Sequence, residues 1–394
     1  MPLFLDAHCH PSLKHYLFGH SVFSKSSGKK ENNYFNIQVT QRSLQKAGIN
    51  GVITAHYLPE KEVLNDWKTL RIMSPVLKTF FNKYFQKAEK ANAYTQTLQM
   101  ISEFELHIQG QESATIAHTY SELQFALENN KVFYIHSLEG GHHLGRNLTS
   151  EEYGRHIVEL KSLGVGLITL SHFYPNDITS PCEGIPPRSK KFLGMRYKPP
   201  ISSPLTDIGK DIVTKILEAG ILLDLTHTNA GARKEIFELN SQRGSAKRPL
   251  LFSHTGIRAL FNDTKHPDFA MMGPNDDEIL NIKECNGVIG IIFMNYWLTG
   301  KEERLLFSGN DYGFENILNT IRYISIICGS FDHIAIGTDF DGWTDPPDDY
   351  YDSAMLGEFK ERLLREKERI GATEADIEKI TGQNLLRVLR DGWT

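Results

Sequence analysis

Eight short apolar segments recur along the 394-residue chain, and each ends on a polar residue. In order they are LFLDAHCH, GVITAHY, VFYIHSLEG, GLITLSHF, ILLDLTH, LLFSHTG, GVIGIIFMN and HIAIGTDFDG. Stretches with helical periodicity separate them, and two of these stretches close at Gly164 and Gly220, directly before the next apolar segment. One such stretch opens with Thr149 and Glu152, spaced as in a capping box. Strands that alternate with helices predict a mainly parallel sheet.

Eight such units in a chain of this length predict a (β/α)8 TIM barrel, whose active site lies at the carboxyl ends of the strands. A doubly wound open sheet is the alternative, but neither GxGxxG nor GxxxxGK follows a strand segment. We predict one barrel domain over residues 1–394, with a helical insertion at about 59–121 after the second strand and a C-terminal amphipathic helix. The Pro-rich stretch 174–204 is predicted to be a loop that covers the site.

Composition restricts the possible partners. The formal net charge is −5, so nothing indicates a nucleic-acid surface or a basic membrane patch. No run of about 18 apolar residues predicts a transmembrane segment. The opening MPLFLDAHCH lacks the basic and apolar regions of a leader, and the four cysteines form no CxxC pair. These features predict a cytoplasmic location.

Histidines end several of the strand segments. His8 and His10 follow the first, and alternation along a strand predicts that both imidazoles face the barrel interior. His227 and His254 end the fifth and sixth segments. A histidine bonded to a backbone carbonyl in the core is the alternative for any one of them. Four inward imidazoles together predict a site for zinc or a similar transition metal.

Two carboxylates fit the same site. Glu139 ends the third segment and precedes Gly140-Gly141, which allow a tight turn. A bridging carboxylate there could hold two cations about 3.5 Å apart, whereas a solvated rim residue is the alternative. Asp339, in GTDFDG, is the predicted general base that takes a proton from water, and Asp341 is its rival.

Three further strand ends carry polar side chains. His172 ends the fourth segment and is predicted to polarise a carbonyl or steady an oxyanion, with a structural role equally open. His56 and Asn295 end two other segments. For both we predict a structural or supporting role.

Seven motifs, in this order, resemble those of the membrane (renal) dipeptidase family, the M19 peptidases of the amidohydrolase superfamily. They are DAHCH, LEGGHHLG, GLITLSHF, LLDLTH, FSHTGIRAL, GTDFDG and NLLRV, so the resemblance runs almost from end to end. It implies a (β/α)8 barrel with two zinc ions bridged by a glutamate. It also implies a homodimer.

The resemblance carries the family's roles onto particular positions. It assigns metal ligands to five residues: His8, His10, Glu139, His227 and His254. Glu139 would bridge the two ions, and Asp339 would be the acid/base. His172 would contact the substrate near the scissile carbonyl.

The chain departs from the family pattern at two places. The family usually has an aspartate where this chain has His10, which removes one negative charge. Family members also carry an arginine, just before an acidic stretch, that anchors the substrate's C-terminal carboxylate. The matching region here reads PDFAMMGPNDDEI, with methionines in that place, and Arg258 and Arg196 are the nearby arginines. A guanidinium–carboxylate pair is hard to replace.

Three hypotheses follow. The leading one is a zinc-dependent hydrolase of small amides, of the dipeptidase type, that uses metal-activated water. The second keeps the metal centre but changes the substrate to one without a free C-terminal carboxylate, such as an N-acyl amino acid, a lactone or a capped peptide. The third is an inactive barrel that serves as a binding module.

Overall fold

A closed barrel of parallel strands forms the centre of the protein. The computed structural model describes residues 3–28, 36–68, 92–301 and 312–394, and the strands in these residues form one sheet. The strands are β1 Leu5–Cys9, β2 Gly51–His56, β3 Ala114–Ile116, β4 Val132–Glu139, β5 Val165–Thr169, β6 Leu222–Asp224, β7 Leu250–Thr255, β8 Val288–Ile291 and β9 Ile334–Ile336.

Eight of these strands close the barrel. β1 pairs with both β2 and β9, β2 pairs with β4, and pairing then runs in order from β4 to β9. The eight barrel strands are the eight predicted segments, so the predicted TIM barrel is confirmed. β3 is additional and pairs in parallel with the start of β4.

Helices surround the barrel. The described α-helices are Pro11–Phe18, Gln41–Ala47, Lys61–Asp66, Ala93–Ile108, Tyr120–Glu128, Ser150–Ser162, Pro187–Leu193, Asp207–Glu218, Ala230–Gln242, Asp276–Glu284, Asn295–Thr299, Phe314–Cys328, Leu356–Glu366, Glu374–Glu378 and Asn384–Gly392. Local sequence sets several boundaries. The predicted capping box forms at Ser150–Ser162, where the Thr149 hydroxyl accepts from the Glu152 N–H and the Glu152 carboxylate accepts from the Thr149 N–H. No described helix has the length and apolar character that crossing a membrane requires.

The predicted helical insertion at about 59–121 is helical over Lys61–Asp66 and Ala93–Ile108, while residues 69–91 lie outside the described residues. Ala114–Ile116 was included in the helical prediction and is instead a short strand. Its β-branched residues suit a strand, and pairing with β4 gives both backbones hydrogen-bond partners. The stretch 174–204, predicted as a loop, contains the helix Pro187–Leu193.

The predicted C-terminal amphipathic helix packs against the barrel interior. The helices Glu374–Glu378 and Asn384–Gly392 are joined by a π-helical turn. Apolar side chains from the barrel strands and this helix form one buried cluster: Leu5, Ile53, Phe133, Ile135, Leu167, Leu222, Leu251, Val288, Ala335, Leu385, Val388, Leu389 and Trp393. Trp393 is 2% exposed, and a Cβ added at Gly166 would lie 3.1 Å from its ring.

We expect Trp393→Ala to lower the free energy of unfolding by about 3–5 kcal/mol, because it removes a large buried side chain and leaves a cavity. Urea titration followed by circular dichroism measures the change. Phe125→Ala is the matched control, since Phe125 is 61% exposed and its loss should change stability by less than about 0.5 kcal/mol. Equal effects of the two substitutions would contradict the packing role of Trp393.

Candidate metal centre

All seven predicted site residues meet at the carboxyl ends of the barrel strands, and all are buried. They are His8, His10, Glu139, His172, His227, His254 and Asp339. Potential ligand atoms lie within 4.8 Å of one another in three groups, two of which share His8: His8, His10 and Asp339; His8, Asp224 and His254; and Glu139, His172 and His227.

The Glu139 carboxylate lies in the middle of the cluster. Its Oε1 atom is 3.3 Å from His8 Nε2, 3.4 Å from His227 Nε2 and 3.6 Å from His254 Nε2. Its Oε2 atom is 3.5 Å from His10 Nε2. One carboxylate therefore faces both histidine pairs, as a bridging ligand must.

The spacing of the imidazoles fits shared cations. His8 Nε2 and His10 Nε2 are 3.1 Å apart, and His227 Nε2 and His254 Nε2 are 3.2 Å apart. Two ligand atoms about 2.1 Å from one tetrahedral zinc ion lie about 3.4 Å apart. Imidazole and carboxylate donors suit zinc or a similar transition metal. The donor set and its spacing thus fit divalent metal ions.

A buried network behind the cluster fixes the tautomers of two histidines. Ser253 Oγ donates to Asp224 Oδ2 at 2.7 Å. It lies 3.1 Å from His8 Nδ1 and 2.9 Å from His254 Nδ1. Because the serine proton is given to Asp224, both Nδ1–H groups donate to the serine oxygen. Their Nε2 lone pairs are then free to face a cation, which is how supporting residues orient metal ligands.

Asp224 is itself held firmly in place. Its Oδ1 atom accepts from the Thr226 hydroxyl and from the Ser253 N–H, both at 2.8 Å, and its Oδ2 atom accepts from the Thr169 hydroxyl at 2.7 Å. Neither Asp224 nor Ser253 was among the site residues predicted from the sequence. The available signal was a charged residue inside the apolar run ILLDLTH, three positions before His227.

The register of two barrel strands is irregular where they carry His8 and His254. The register of β1 against β2 shifts between Asp6 and Cys9, and that of β7 against β8 shifts between Phe252 and Thr255. Each histidine lies inside one of these shifts. Irregularities of this kind are common beside binding sites, where they adjust the direction of a side chain.

Two residues of the cluster have backbone angles that are rare for non-glycine residues. φ is +61° at His227 and +58° at Asp339. Such angles cost on the order of 1–3 kcal/mol and persist only where the surroundings enforce them. At Asp339 the enforcement includes a hydrogen bond from its N–H to the His8 carbonyl at 2.9 Å.

The structure separates Asp339 from its rival Asp341. Asp339 Oδ1 is 3.1 Å from His10 Nε2. Asp341 instead accepts from Lys14 Nζ at 2.6 Å and from the Val39 N–H at 2.9 Å. The carboxylate at the cluster is therefore that of Asp339.

His172 lies between two carboxylates. Its Nε2 atom is 3.6 Å from Glu139 Oε2, and its Nδ1 atom is 3.7 Å from Glu60 Oε1. Burial lowers the pKa of His172, but Glu139 and Glu60 outweigh it, so the pKa lies above its usual value. Glu60, which sequence reasoning missed, is fixed by hydrogen bonds from the Tyr57 hydroxyl and the Phe173 N–H.

The charge balance of the cluster favours cations. Burial raises the pKa of Glu139, but His172, His10 and His8 lower it more, so it lies well below its usual value. Burial lowers the pKa of His8, and the negative charge of Glu139 overcomes this and holds the value at about 9. The field that favours a proton on His8 would equally favour a metal ion in its place.

The other strand-end residues lie outside the cluster. His56 is buried, with its Nε2 atom 2.8 Å from His136 Nδ1. Asn295 begins the helix Asn295–Thr299, and its Oδ1 atom accepts from the Asn316 amide at 2.7 Å. These contacts agree with the supporting roles predicted for both residues.

Methionine lies where the resemblance places the carboxylate-binding arginine. Met272 is buried, and a Cβ added at Gly184 would be 3.3 Å from both Met272 Sδ and His227 Nδ1. Arg258 is directed elsewhere, with its Nη2 atom 3.4 Å from Glu278 Oε2. Arg196 is exposed. The Met272 thioether and the His227 ring therefore both border the backbone of Gly184.

Comparison with known proteins gives the family. The sequence model of the membrane dipeptidase family, peptidase family M19, matches residues 5–392. The chain belongs to this family. The resemblance drawn from the seven sequence motifs is thereby confirmed.

Two curated relatives of this M19 protein are named dipeptidases. Dipeptidase tcpJ from Claviceps purpurea is 24% identical over 281 residues, which are 70% of this chain and 55% of the relative. An uncharacterized dipeptidase from Schizosaccharomyces pombe is 25% identical over 184 residues, which are 47% of this chain and 39% of the relative. The chain thus matches about half the length, or less, of these relatives.

Solved structures share the fold of this M19 protein. The dipeptidase AC, a metallo peptidase of family M19, has a TM-score of 0.70 at 17% identity over 99% of this chain and 98% of that chain. A metallo peptidase from Rhodobacter sphaeroides, bound to a phosphinate mimic of the dipeptide L-Ala-D-Ala, has a TM-score of 0.72 at 16% identity over 99% of both chains. At such identities the similarity supports the barrel fold.

We expect Ser253→Ala to weaken zinc binding at the cluster by about 10- to 100-fold, because His8 and His254 lose the group that orients their Nδ1–H atoms. Competition with a chromophoric chelator measures the affinity.

The matched control is Ser325→Ala. Ser325 is also largely buried, and its hydroxyl donates to the Arg322 carbonyl on the helix Phe314–Cys328, away from the cluster. Unchanged zinc affinity in Ser253→Ala would contradict the orienting role.

Proposed function

We propose that this M19 protein is a metal-dependent hydrolase of small amide substrates, of the dipeptidase type, that uses two divalent ions, with zinc as the preferred metal. The observation that carries the proposal is the convergence of four imidazole Nε2 atoms on the two oxygens of Glu139. Family membership supports the reaction class.

The residues divide into two ligand sets that share Glu139. His8 and His10 would hold one ion with Glu139, and His227 and His254 would hold the other. When bound, such ions polarise the scissile carbonyl and lower the pKa of a water molecule toward neutrality. His10 fits this role because its Nε2 atom faces Glu139 and Asp339, although the family usually has a carboxylate there.

Asp339 and His172 would handle the proton and the carbonyl. The Asp339 carboxylate would accept a proton from the attacking water and pass it to the leaving amine. His172 would donate a hydrogen bond from Nε2 to the carbonyl oxygen as negative charge develops there. Glu60, 3.7 Å from Nδ1, would hold the ring in this orientation.

A second candidate function is favoured by Met272. The same centre would act on a substrate without a free C-terminal carboxylate, such as a lactone or a capped peptide, whereas an N-acyl amino acid keeps its carboxylate and does not fit this candidate. A buried thioether cannot pair with a carboxylate, and Arg258 is already paired with Glu278. In this case the substrate would present a neutral group beside Met272.

The remaining expectations stay predictions. These are the single domain over residues 1–394, the homodimer, and the cytoplasmic location. The third hypothesis, an inactive barrel, is disfavoured by the complete set of buried ligands around Glu139. An inactive barrel would have to retain all of these potential metal ligands without catalysing a reaction.

We expect Asp339→Asn to lower kcat by about 100- to 10,000-fold with little loss of bound metal, because the general base is removed. Steady-state kinetics and metal analysis on the same preparation measure both effects.

Asp341→Asn is the matched comparison, two residues further along the chain. It leaves the buried Lys14 ammonium without its counter-ion, so the free energy of unfolding should fall by up to about 3–5 kcal/mol. The kcat of the folded protein should remain within a few-fold of wild type. A larger loss of kcat in Asp341→Asn than in Asp339→Asn would indicate that Asp341, and not Asp339, is the general base.

A substrate panel tests the proposed reaction. It contains L,L- and L,D-dipeptides, their C-terminal amides and N-acyl amino acids, with zinc-loaded protein. We expect free dipeptides to be cleaved, and amidation to change kcat/KM by no more than about tenfold, because Arg258 is paired with Glu278 and the Met272 thioether cannot pair with a carboxylate. Glu139→Ala should abolish all cleavage, and Glu315→Ala, at an exposed glutamate, should not.

The panel also distinguishes the two candidate functions. Cleavage confined to the C-terminal amides would support the second. A preference of more than about 100-fold for the free carboxylate would reject it and require another anchoring group. Cleavage that survives Glu139→Ala would refute the metal centre as the catalytic site.

A further inference from the structure

A second cluster of metal-competent side chains lies outside the barrel mouth. Glu105 is on the helix Ala93–Ile108, His118 lies between β3 and the next helix, and His136 is on β4. One potential ligand atom from each lies within 4.8 Å of the others. The three residues come from three different elements, so neither helix nor strand periodicity alone accounts for their meeting.

The two imidazoles converge on one carboxylate oxygen. Glu105 Oε1 is 2.7 Å from His118 Nε2 and 3.3 Å from His136 Nε2. Each imidazole turns its Nε2 atom toward this oxygen and uses its Nδ1 atom elsewhere. His118 Nδ1 lies 3.1 Å from Glu122 Oε2, and His136 Nδ1 lies 2.8 Å from His56 Nε2.

These outer contacts are those of metal-binding histidines. A ligating histidine usually gives its second N–H to a carboxylate or another acceptor, which fixes the tautomer and makes the ligating nitrogen more basic. Glu122 provides the carboxylate for His118 and also accepts from the His118 backbone N–H at 2.8 Å. The His56 ring nitrogen is the partner of His136 Nδ1, and it would accept from that atom when His136 Nε2 binds a cation.

A cation resolves the electrostatics of the cluster. If both Nδ1 atoms carry protons, both Nε2 lone pairs face the negative Glu105 oxygen, and that arrangement is repulsive without a positive charge between them. Two histidines and one glutamate are a known ligand set for zinc, with solvent in the fourth position. Solvent can reach this position, since the side chains of Glu105 and His118 are 32% and 38% exposed while that of His136 is buried.

The cluster is separate from the metal centre at the barrel mouth. His136 and Glu139 are three residues apart on β4, so their side chains lie on opposite faces of the strand, about 10 Å apart along it. His136 faces outward, where Phe104 of the helix Ala93–Ile108 packs edge-on against its ring. An ion at one site therefore does not share ligands with an ion at the other.

We propose that Glu105, His118 and His136 form a second, independent site for one zinc-like divalent cation. Bound there, the ion joins the helix Ala93–Ile108 to the outer face of β4 and to the segment after β3. The bound ion therefore holds the insertion that follows β2 against the outside of the barrel. It does not depend on the proposed catalytic reaction.

The experiment uses the full chain, stripped with chelator and reloaded with Zn²⁺ alone. Glu139→Ala serves as the background, because it disrupts the centre at the barrel mouth. In this background we expect Zn²⁺ to bind at the second site and to raise Tm by several degrees. His118→Gln added to this background should remove both effects. In crystals of the wild-type protein, anomalous scattering at the zinc edge should give a peak between Glu105, His118 and His136.

His266→Gln is the matched control. His266 is a partly exposed histidine that also contacts a carboxylate, with Nδ1 2.9 Å from Asp263 Oδ2, but it has no second imidazole beside that carboxylate in the described structure. It should leave zinc stoichiometry and the Tm shift unchanged. Equal zinc stoichiometry and Tm shift with and without His118→Gln, together with no anomalous peak at the three residues, would show an ion-pair network only and overturn the proposal.

Discussion

The buried carboxylate of Glu139 is the constraint around which the barrel mouth is arranged. An ionised carboxylate in an apolar interior is strongly unfavourable unless positive charge and hydrogen-bond donors surround it. Five imidazole nitrogens lie within 3.6 Å of its oxygens, and they come from segments that are far apart in sequence. Neutral imidazoles alone cannot balance the charge, so the arrangement calls for protons or cations. Glu139 therefore links the closure of the barrel to the chemistry at its mouth.

Regular strand register and backbone geometry are lost at several residues around Glu139. β1 and β7 lose their register where His8 and His254 turn inward, and His227 and Asp339 adopt left-handed backbone angles. Each irregularity would be unfavourable in isolation. The compensation is local and specific: Asp224 binds the Ser253 backbone and hydroxyl, and that hydroxyl in turn holds His8 and His254. Asp224, behind the site, thus stabilises the histidine positions that the Glu139 carboxylate requires.

The sequence predicted the parts of this arrangement that local pattern encodes. Each barrel strand is an apolar run that ends on a polar residue, and this signal is strong because both faces of such strands are buried. The bulges at His8 and His254 leave no local signal, because strict alternation fits the same letters. Glu60 contacts His172 from a position 112 residues earlier in the chain, a pairing that only the closed barrel reveals. Asp224 lies within an apolar run, and an isolated charge inside a buried strand indicates a hydrogen-bond network.

The two departures from the family pattern offset each other in charge. His10 in place of aspartate removes one negative charge from the ligand set, and Met272 in place of arginine removes one positive charge beside it. By the family pattern that the resemblance implies, the net charge of the site would be unchanged, but its distribution would differ: the metal-binding side would be more positive and the substrate-anchoring side neutral. A substrate carboxylate loses its dedicated partner, while a carbonyl oxygen near the ligands experiences a stronger positive field. For the proposed function, this redistribution would favour substrates recognised at the reacting carbonyl over those recognised at a distant carboxylate.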